Sequence, residues 1–323
     1  MQNLPIVLGI DIGGTNTKFG FVDREGRCLA DGAIPTLGDQ PPGQMFQRLQ
    51  AGAAELLAGL DGYELAGIGV GAPNANYYTG TIELPPNLSW PRVDLRAELA
   101  PHFRVPVAAT NDANAAAMGE MLFGAARGMR DFIVITLGTG LGSGIVVNGQ
   151  VVYGFSGFAG EIGHTIVDPA GRLCGCGRRG CLEVYASASG LILTVAELLA
   201  ESGEPSLLRG VEAGQVSSKQ IFEAAQAGDR LALEAFDRTG DLLGRKLADA
   251  VAYTGPEAIF LFGGLVSAGD LLFDPTRRAM EANLLNIYQG TVKLLHSGVP
   301  EGKAAILGAG ALIWTELAKL GPA

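Results

Sequence analysis

Two stretches of the chain follow the same plan, and this internal duplication constrains the fold more than any other feature. The first is IVLGIDIGGTNTKFGFVDREGRCLADGAI at 6–34, and the second is FIVITLGTGLGSGIVVNGQVVYG at 132–154. Both have β-branched, alternating segments separated by glycine turns, which predicts strands. The second also contains Asn148-Gly149, a strong hairpin signal. We therefore predict that each half begins with a three-stranded meander whose first turn is rich in glycine and carries threonine.

The segments that follow each meander alternate between helical and strand patterns. GQMFQRLQAGAAELLAGL predicts a helix and LAGIGVGAP a buried strand, and in the second half EAIFLFGG is a strand that ends in glycines. This alternation is typical of an α/β fold with buried sheets. The pattern is interrupted near 118–130. We expect one domain at 1–118 that is completed by a segment at about 305–323, which contains the last helix, and a second domain at 119–304.

Composition excludes several classes of protein. The chain has 323 residues, of which 48% are hydrophobic and 17% charged, and this is typical of a globular protein. Its formal net charge of −10 disfavours nucleic acid as a partner, and no segment resembles a membrane span or a signal peptide. Of the four cysteines, three are clustered and Cys28 is isolated, which makes a poor disulfide framework. A reducing cytoplasm is the expected location.

Two short loops of the meanders are candidates for phosphate binding, DIGGT at 11–15 and LGTGLGSG at 137–144. A glycine-rich turn directly after a strand can point backbone N–H groups at an anion. One such loop is as well explained by a tight hairpin, but two matching loops suggest a phosphate chain held from both sides of a cleft between domains. Asp11 could hold Mg²⁺ through water, and the side chains expected to bind phosphate oxygens are Thr15, Lys18 and Thr139.

The two loops, together with GGLVSAGDLL at 263–272, resemble the phosphate and adenosine motifs of the actin-like, hexokinase-type ATPases. This resemblance implies duplicated actin-like (ribonuclease H-like) domains with a cleft between them, which would bind ATP with catalytic Mg²⁺. The glycines that it places against the nucleotide are Gly13, Gly14, Gly138, Gly140, Gly263 and Gly264.

A candidate general base follows the predicted strand VPVAAT, where Asn111 and Asp112 begin an alanine-rich helix. Asn and Asp are good N-caps, so capping alone would explain both residues. A carboxylate at the end of a cleft-facing strand could also accept the proton of an attacking sugar hydroxyl. The two roles are compatible, because the helix dipole favours an ionised Asp112.

A cluster of cysteine and histidine occurs in HTIVDPAGRLCGCGRRGC at 164–181. His164, Cys174, Cys176 and Cys181 have the spacing H-x₉-C-x-C-x₄-C, and three sulfurs with one nitrogen suit a tetrahedral, structural Zn²⁺. Unligated buried cysteines are the alternative. If one imidazole nitrogen of His164 binds zinc, the other is left to bind a polar ligand.

The later motifs resemble those of the ROK family of repressors and sugar kinases: N-D-x-N at 111–114, E-x-G-H at 161–164 and C-x-C-G-x-x-G-C-x-E at 174–183. The resemblance implies that Asp112 is the catalytic base and that the protein is a homodimer. The residues that it assigns to sugar hydroxyls are Asn87, Asn111, Asp112, Glu161, His164 and Glu183. Family glucokinases often carry Pro-Gly-Pro where this chain has APNANYYTG at 72–80, which leaves the hexose open.

These observations favour an ATP-dependent kinase that phosphorylates the 6-hydroxyl of a hexose, with glucose as the preferred substrate. Fructose and N-acetylmannosamine are the alternative substrates within the family, and polyphosphate is the alternative donor. A ROK repressor would need an N-terminal helix-turn-helix, and the first strand is expected by about residue 6. A sugar sensor without activity is the remaining alternative.

Overall fold

The computed structural model describes residues 3–86, 88–211, 214–300 and 302–321, and these form two compact units. Unit 1 takes its residues from 1–130, 144–160 and 297–323, and unit 2 from 131–143 and 161–296. The domain bounds expected from the sequence, 1–118 with about 305–323 and 119–304, remain a proposal. No helix in the described ranges is long and apolar enough to cross a membrane.

The strands are β1 (Leu4–Ile12), β2 (Asn16–Val22), β3 (Cys28–Pro35), β4 (Tyr63–Gly71), β5 (Thr81–Glu83), β6 (Arg92–Asp94), β7 (Val107–Thr110), β8 (Phe132–Leu137), β9 (Leu141–Val147), β10 (Gln150–Val151), β11 (Ala258–Phe262) and β12 (Lys293–His296). The α-helices are α1 (Pro42–Ala58), α2 (Leu95–Phe103), α3 (Asp112–Phe123), α4 (Ala188–Glu201), α5 (Ser218–Gln226), α6 (Arg230–Thr254), α7 (Asp270–Asn283) and α8 (Ala304–Lys319). Short 3₁₀ helices cover Ile162–His164, Leu182–Val184 and Gly264–Ala268.

The two larger sheets repeat one topology, with the strand orders β3-β2-β1-β4-β7 and β10-β9-β8-β11-β12. In each sheet, the first strand of the meander also pairs in parallel with a later strand, β1 with β4 and β8 with β11. Asn148 and Gly149 have φ angles of 53° and 75° and form the two-residue turn between β9 and β10. The predicted α/β class and the predicted duplication are confirmed.

The core of unit 1 lies where α8 packs against β1 and β4. Ile10 and Val70 are fully buried, whereas Gly9 and Gly69 provide the surface on which the helix rests. A Cβ atom on Gly69 would overlap the carbonyl oxygen of Ala309, so the helix backbone lies directly on the sheet. The alternation of glycine and β-branched residues in these strands therefore serves close packing as well as strand formation.

In unit 2 the long helix α6 packs along α7. The small residues Gly240 and Gly244 allow this approach, because a Cβ atom on Gly240 would lie 2.6 Å from Cγ of Pro275. The sequence patterns did not predict α7, and Pro275 lies inside it. Tertiary packing here outweighs the helix-breaking tendency of proline.

Candidate functional site

The first phosphate loop connects β1 and β2, and hydrogen bonds fix its shape. The amide of Gly13 donates to the carbonyl of Asn16 over 3.1 Å. The carbonyl of Gly13 accepts from Oγ1 of Thr36 over 2.7 Å, and that hydroxyl lies 3.0 Å from the hydroxyl of buried Thr17. The local sequence does not mark these two threonines as loop supports, because Thr36 is distant along the chain. Gly14 is half-buried and Thr15 exposed, so the tip of the loop is accessible.

Strand register brings the acidic residues of unit 1 to one edge of the sheet. Asp11 pairs with Gly71 of β4, and Gly71 pairs with Thr110 of β7. Asp11 also lies opposite Lys18 on β2. Asp112 follows Thr110 by two residues and begins α3, so both carboxylates are carried at the carboxyl ends of parallel strands. This edge is where open α/β sheets bind ligands.

The start of α3 has the geometry expected of a cap. Oδ1 of Asn111 accepts the amide of Asn114 over 2.7 Å, and the carboxylate of Asp112 accepts the amide of Ala113 over 2.9 Å. Asp112 remains exposed. The carboxylate is therefore oriented by the helix and still accessible to a substrate. Its sugar contact and that of Asn111 stay predictions.

The pKa values of Asp11 and Asp112 are both higher than the ordinary value for an aspartate. Burial, with a smaller contribution from the charge of Asp112, raises the pKa of Asp11 to about 6, and Lys18 partly opposes the rise. Although Asp112 keeps solvent-accessible surface, desolvation by the protein packed around it also raises its pKa, against the effect of the amide hydrogen bonds from Ala113 and from Asp112 itself. A bound cation would relieve the repulsion between the two carboxylates, and this fits the expectation that Asp11 holds a metal ion.

The second phosphate loop connects β8 and β9 in unit 2. The amide of Gly138 donates to the carbonyl of Gly140 over 3.0 Å, and the carbonyl of Gly138 accepts from the amide of Ala188, at the start of α4, over 2.9 Å. Gly138 and Thr139 are exposed. The tip of this loop, like that of the first, is available to a ligand.

The predicted adenosine motif lies beside this loop. Gly263 has a φ angle of 108°, and a Cβ atom on it would lie 2.6 Å from the carbonyl oxygen of Leu137. Glycine is therefore required here by conformation and by space. Gly264 begins the 3₁₀ helix and has open space on its Cβ side. An adenosine contact by this pair stays a prediction.

The cysteine and histidine side chains converge in the structure as the spacing predicts. The ligand atoms of His164, Cys174, Cys176 and Cys181 all lie within 4.8 Å of one another. Nδ1 of His164 lies 3.8 Å from Sγ of Cys174, and the sulfurs of Cys176 and Cys181 are 3.6 Å apart. A tetrahedron with Zn–S bonds of about 2.3 Å has sulfur–sulfur edges of about 3.8 Å. The donor set and its size both fit Zn²⁺.

Tight backbone turns surround this cluster. Gly177 and Gly180 have φ angles of 84° and 72°, a conformation that L side chains rarely adopt. The amide of Gly177 donates to the carbonyl of Cys174, and the amide of Cys174 donates to the carbonyl of Arg178. Gly175 does not have a positive φ, so the backbone conformation at this position does not require glycine.

The two glutamates predicted to bind sugar flank the cluster in different surroundings. Glu161 is exposed and precedes the 3₁₀ helix Ile162–His164. Glu183 is half-buried, and its Oε2 accepts the amide of Leu141 in the second phosphate loop over 3.0 Å. The sequence did not indicate this contact, since the two residues are 42 positions apart. Asn87 lies outside the described residues.

Arg172 is a further residue of this region that sequence analysis missed. Its guanidinium donates to both carboxylate oxygens of Glu197, to Oγ1 of Thr194 and to the carbonyls of Val184 and Gly190. These bonds anchor the cysteine-containing segment to α4. No local pattern distinguishes such an arginine from the exposed arginines nearby.

Comparison with known proteins gives consistent results. The ROK family matches residues 7–316. A glucokinase of Thermotoga maritima is 35% identical over 311 residues, which cover 95% of this chain and 96% of that protein. A solved ROK-family glucokinase from Streptomyces griseus, in complex with glucose and AMPPNP, has a TM-score of 0.79 at 34% identity and covers 98% of this chain and 100% of its own. A ROK-family transcriptional regulator, a homologue of the E. coli MLC protein, has a TM-score of 0.85 at 29% identity and covers 95% of this chain and 77% of its own.

Proposed function

The chain belongs to the ROK family, and we propose that it is an ATP-dependent hexose kinase that converts glucose to glucose 6-phosphate. The glucokinases of Thermotoga maritima and Streptomyces griseus, similar over nearly the whole chain, support the reaction and the preference for glucose. The observation that carries the mechanism is the pair Asp11 and Asp112. Two carboxyl groups with raised pKa values lie at the carboxyl-terminal edge of the first sheet, beside a glycine-rich loop.

Asp112 is the general base of this proposal. It accepts the proton of the sugar 6-hydroxyl as that oxygen attacks the terminal phosphate. Its raised pKa brings its basicity closer to neutral pH, where a base transfers protons most effectively. The side chains proposed to hold the sugar hydroxyls are Asn87, Asn111, Glu161, His164 and Glu183.

The two glycine-rich loops are proposed to hold the nucleotide. Backbone amides of Gly13, Gly14, Gly138 and Gly140, with Thr15, Lys18 and Thr139, would bind the phosphates. Gly263 and Gly264 would lie against the adenosine. Asp11 would hold Mg²⁺, which when bound neutralises charge on the phosphates.

The cluster of His164, Cys174, Cys176 and Cys181 is proposed to hold a structural Zn²⁺, which supplies rigidity and no acid–base chemistry. Because Nδ1 of His164 faces Cys174, the ring would bind the metal through Nδ1 and offer Nε2 to the sugar. This geometry supports the predicted role of His164 in both sites. The cysteines of the chain are free thiols, which is consistent with our expectation of a reducing cytoplasm. A homodimer is proposed from the family resemblance alone.

The test is ADP release with Mg-ATP across glucose, fructose, mannose, N-acetylmannosamine and N-acetylglucosamine, with polyphosphate as a second donor. We expect the highest kcat/KM with glucose and ATP. A higher value with fructose or N-acetylmannosamine would reassign the substrate within the family. A folded, zinc-loaded protein that is silent on every sugar yet binds glucose would contradict kinase activity. It would favour a sensor, as the similarity to a regulator allows.

A further inference from the structure

Glu183, one of the predicted sugar ligands, contacts the phosphate loop of its own unit. Its Oε2 accepts the amide of Leu141 over 3.0 Å. The loop leaves room for it, since a Cβ atom on Gly140 would overlap that same carboxylate oxygen. The hydrogen bond from Leu141 and the lack of a side chain at Gly140 therefore both favour this position of the Glu183 carboxylate. The carboxylate is a charged acceptor and half-buried, which strengthens its bond to the amide.

The rest of this loop also rests on the segments around the cysteine cluster. Oγ of Ser143 accepts the amide of Ile162 over 3.0 Å. Gly163 lies so close to Leu141 that a Cβ atom on it would overlap the carbonyl oxygen of that residue. The loop is therefore supported from the segment that precedes His164 as well as from Glu183.

The other carboxylate oxygen of Glu183 faces the cysteine cluster. Sγ of Cys174 lies 3.7 Å from Oε1. One side chain therefore spans the distance between a cluster that fits zinc and a loop that is expected to bind phosphate. Glu183 follows Cys181 by two residues and lies in the 3₁₀ helix Leu182–Val184, which fixes its starting point.

We propose that Glu183 is a positioning residue for the nucleotide, holding loop residues 138–141 in the phosphate-binding conformation before any sugar is bound. This inference rests on the proposed function, since it takes the loop to bind ATP phosphates. The physical reason is preorganisation: backbone amides bind an anion well only when their directions are fixed beforehand. A residue assigned to the sugar site would thus also set the affinity for ATP.

The experiment compares wild type, Glu183→Gln, Glu183→Ala and Gly140→Ala for binding of Mg-AMPPNP without sugar, measured by calorimetry. Gln keeps an oxygen acceptor for the Leu141 amide, whereas Ala removes it and Gly140→Ala displaces it. We expect about tenfold or greater weakening in Glu183→Ala and Gly140→Ala, and less than about threefold in Glu183→Gln. Glu161→Ala is the matched control, expected to lose glucose affinity and keep nucleotide affinity.

Hydrogen exchange of a peptide covering 137–144, with no ligand present, is the second readout. It does not depend on kinase activity, so a failure of the proposed function remains distinguishable from a failure of this inference. We expect faster exchange at the loop in Glu183→Ala and wild-type exchange in Glu183→Gln.

Three results would overturn the inference. One is wild-type nucleotide affinity and loop exchange in Glu183→Ala. Another is loss of bound zinc from that variant, which would attribute the effect to the metal cluster. The last is a wild type that turns over glucose but binds AMPPNP only after sugar, since the loop would then not be preformed.

Discussion

We expect the carboxyl group of Asp11 to destabilise the folded protein at neutral pH. Its pKa in the folded state is about 6, against an ordinary value of 3.8, so folding favours the protonated form. Charging this group therefore costs stability progressively as pH rises from about 4 to 6. We expect Asp11→Asn to raise the free energy of unfolding at pH 7.5 by about 2 kcal/mol while it abolishes kinase activity.

Denaturant unfolding of wild type and Asp11→Asn at pH 7.5 and pH 4 measures this effect. The gain should shrink towards zero at pH 4, where both side chains are neutral. A gain that persists unchanged at pH 4, or a variant less stable than wild type at pH 7.5, would refute the electrostatic explanation.

We expect the same carboxyl groups to determine the pH dependence of catalysis. In the proposed mechanism both act as carboxylates in the free enzyme, and desolvation is the largest cause of the raised pKa of each, which is about 6 for Asp11. We expect kcat/KM for glucose to fall as pH is lowered through about 6, because kcat/KM reports the ionisations of free enzyme. Initial rates from pH 5 to 9 at fixed ionic strength measure it. A profile that stays flat down to pH 5 would contradict the raised pKa values.

At the scale of elements, the segment from His164 to Cys181 is expected to depend on its metal. Cys176→Ser removes one of the four proposed zinc ligands, so we expect zinc to be lost and glucose affinity to be weakened in the same variant. Cys28→Ser is the matched control, because Cys28 is a free thiol of unit 1 outside the cluster. Zinc content and glucose binding are measured on both variants. Wild-type zinc content and glucose binding in Cys176→Ser would contradict the proposal that the metal shapes the sugar pocket.

The contact between α8 and the first sheet permits no side chain at Gly69. Gly69→Ala must displace helix backbone, and we expect it to lower the free energy of unfolding by more than about 2 kcal/mol. Gly203→Ala is the control, since its Cβ side is open and its φ is not positive, so near-neutral stability is expected. Thermal unfolding of both variants and of the wild type measures these differences in stability. Equal melting temperatures would mean that α8 does not lie on β4 as described.

For the molecule as a whole, local chemistry made several features predictable. Asn148-Gly149 forms its turn because both residues tolerate positive φ, and Asn111 caps α3 because its side chain reaches the amide three residues ahead. The cluster around Cys176 was predictable because cysteine is rare in this chain and metal ligands require a specific spacing.

Contacts between distant segments were not predictable in the same way. The bond from Leu141 to Glu183, the support of Gly13 by Thr36 and the anchoring role of Arg172 depend on tertiary placement. So does α7, where packing against α6 tolerates Pro275 inside a helix. Local sequence patterns do not indicate which distant residue a side chain will contact, so these contacts become visible only in the folded structure.

In the proposed mechanism, the carboxylate of Asp112 removes the proton of the glucose 6-hydroxyl during phosphoryl transfer. The most direct measurement is the rate of glucose 6-phosphate formation by wild type and Asp112→Asn, with the product identified by ³¹P NMR. We expect phosphorylation at the 6-position and a kcat about 10² to 10⁴ lower in the variant, with glucose affinity changed only a few-fold. A variant that retains wild-type kcat, or a product phosphorylated at another position, would contradict it.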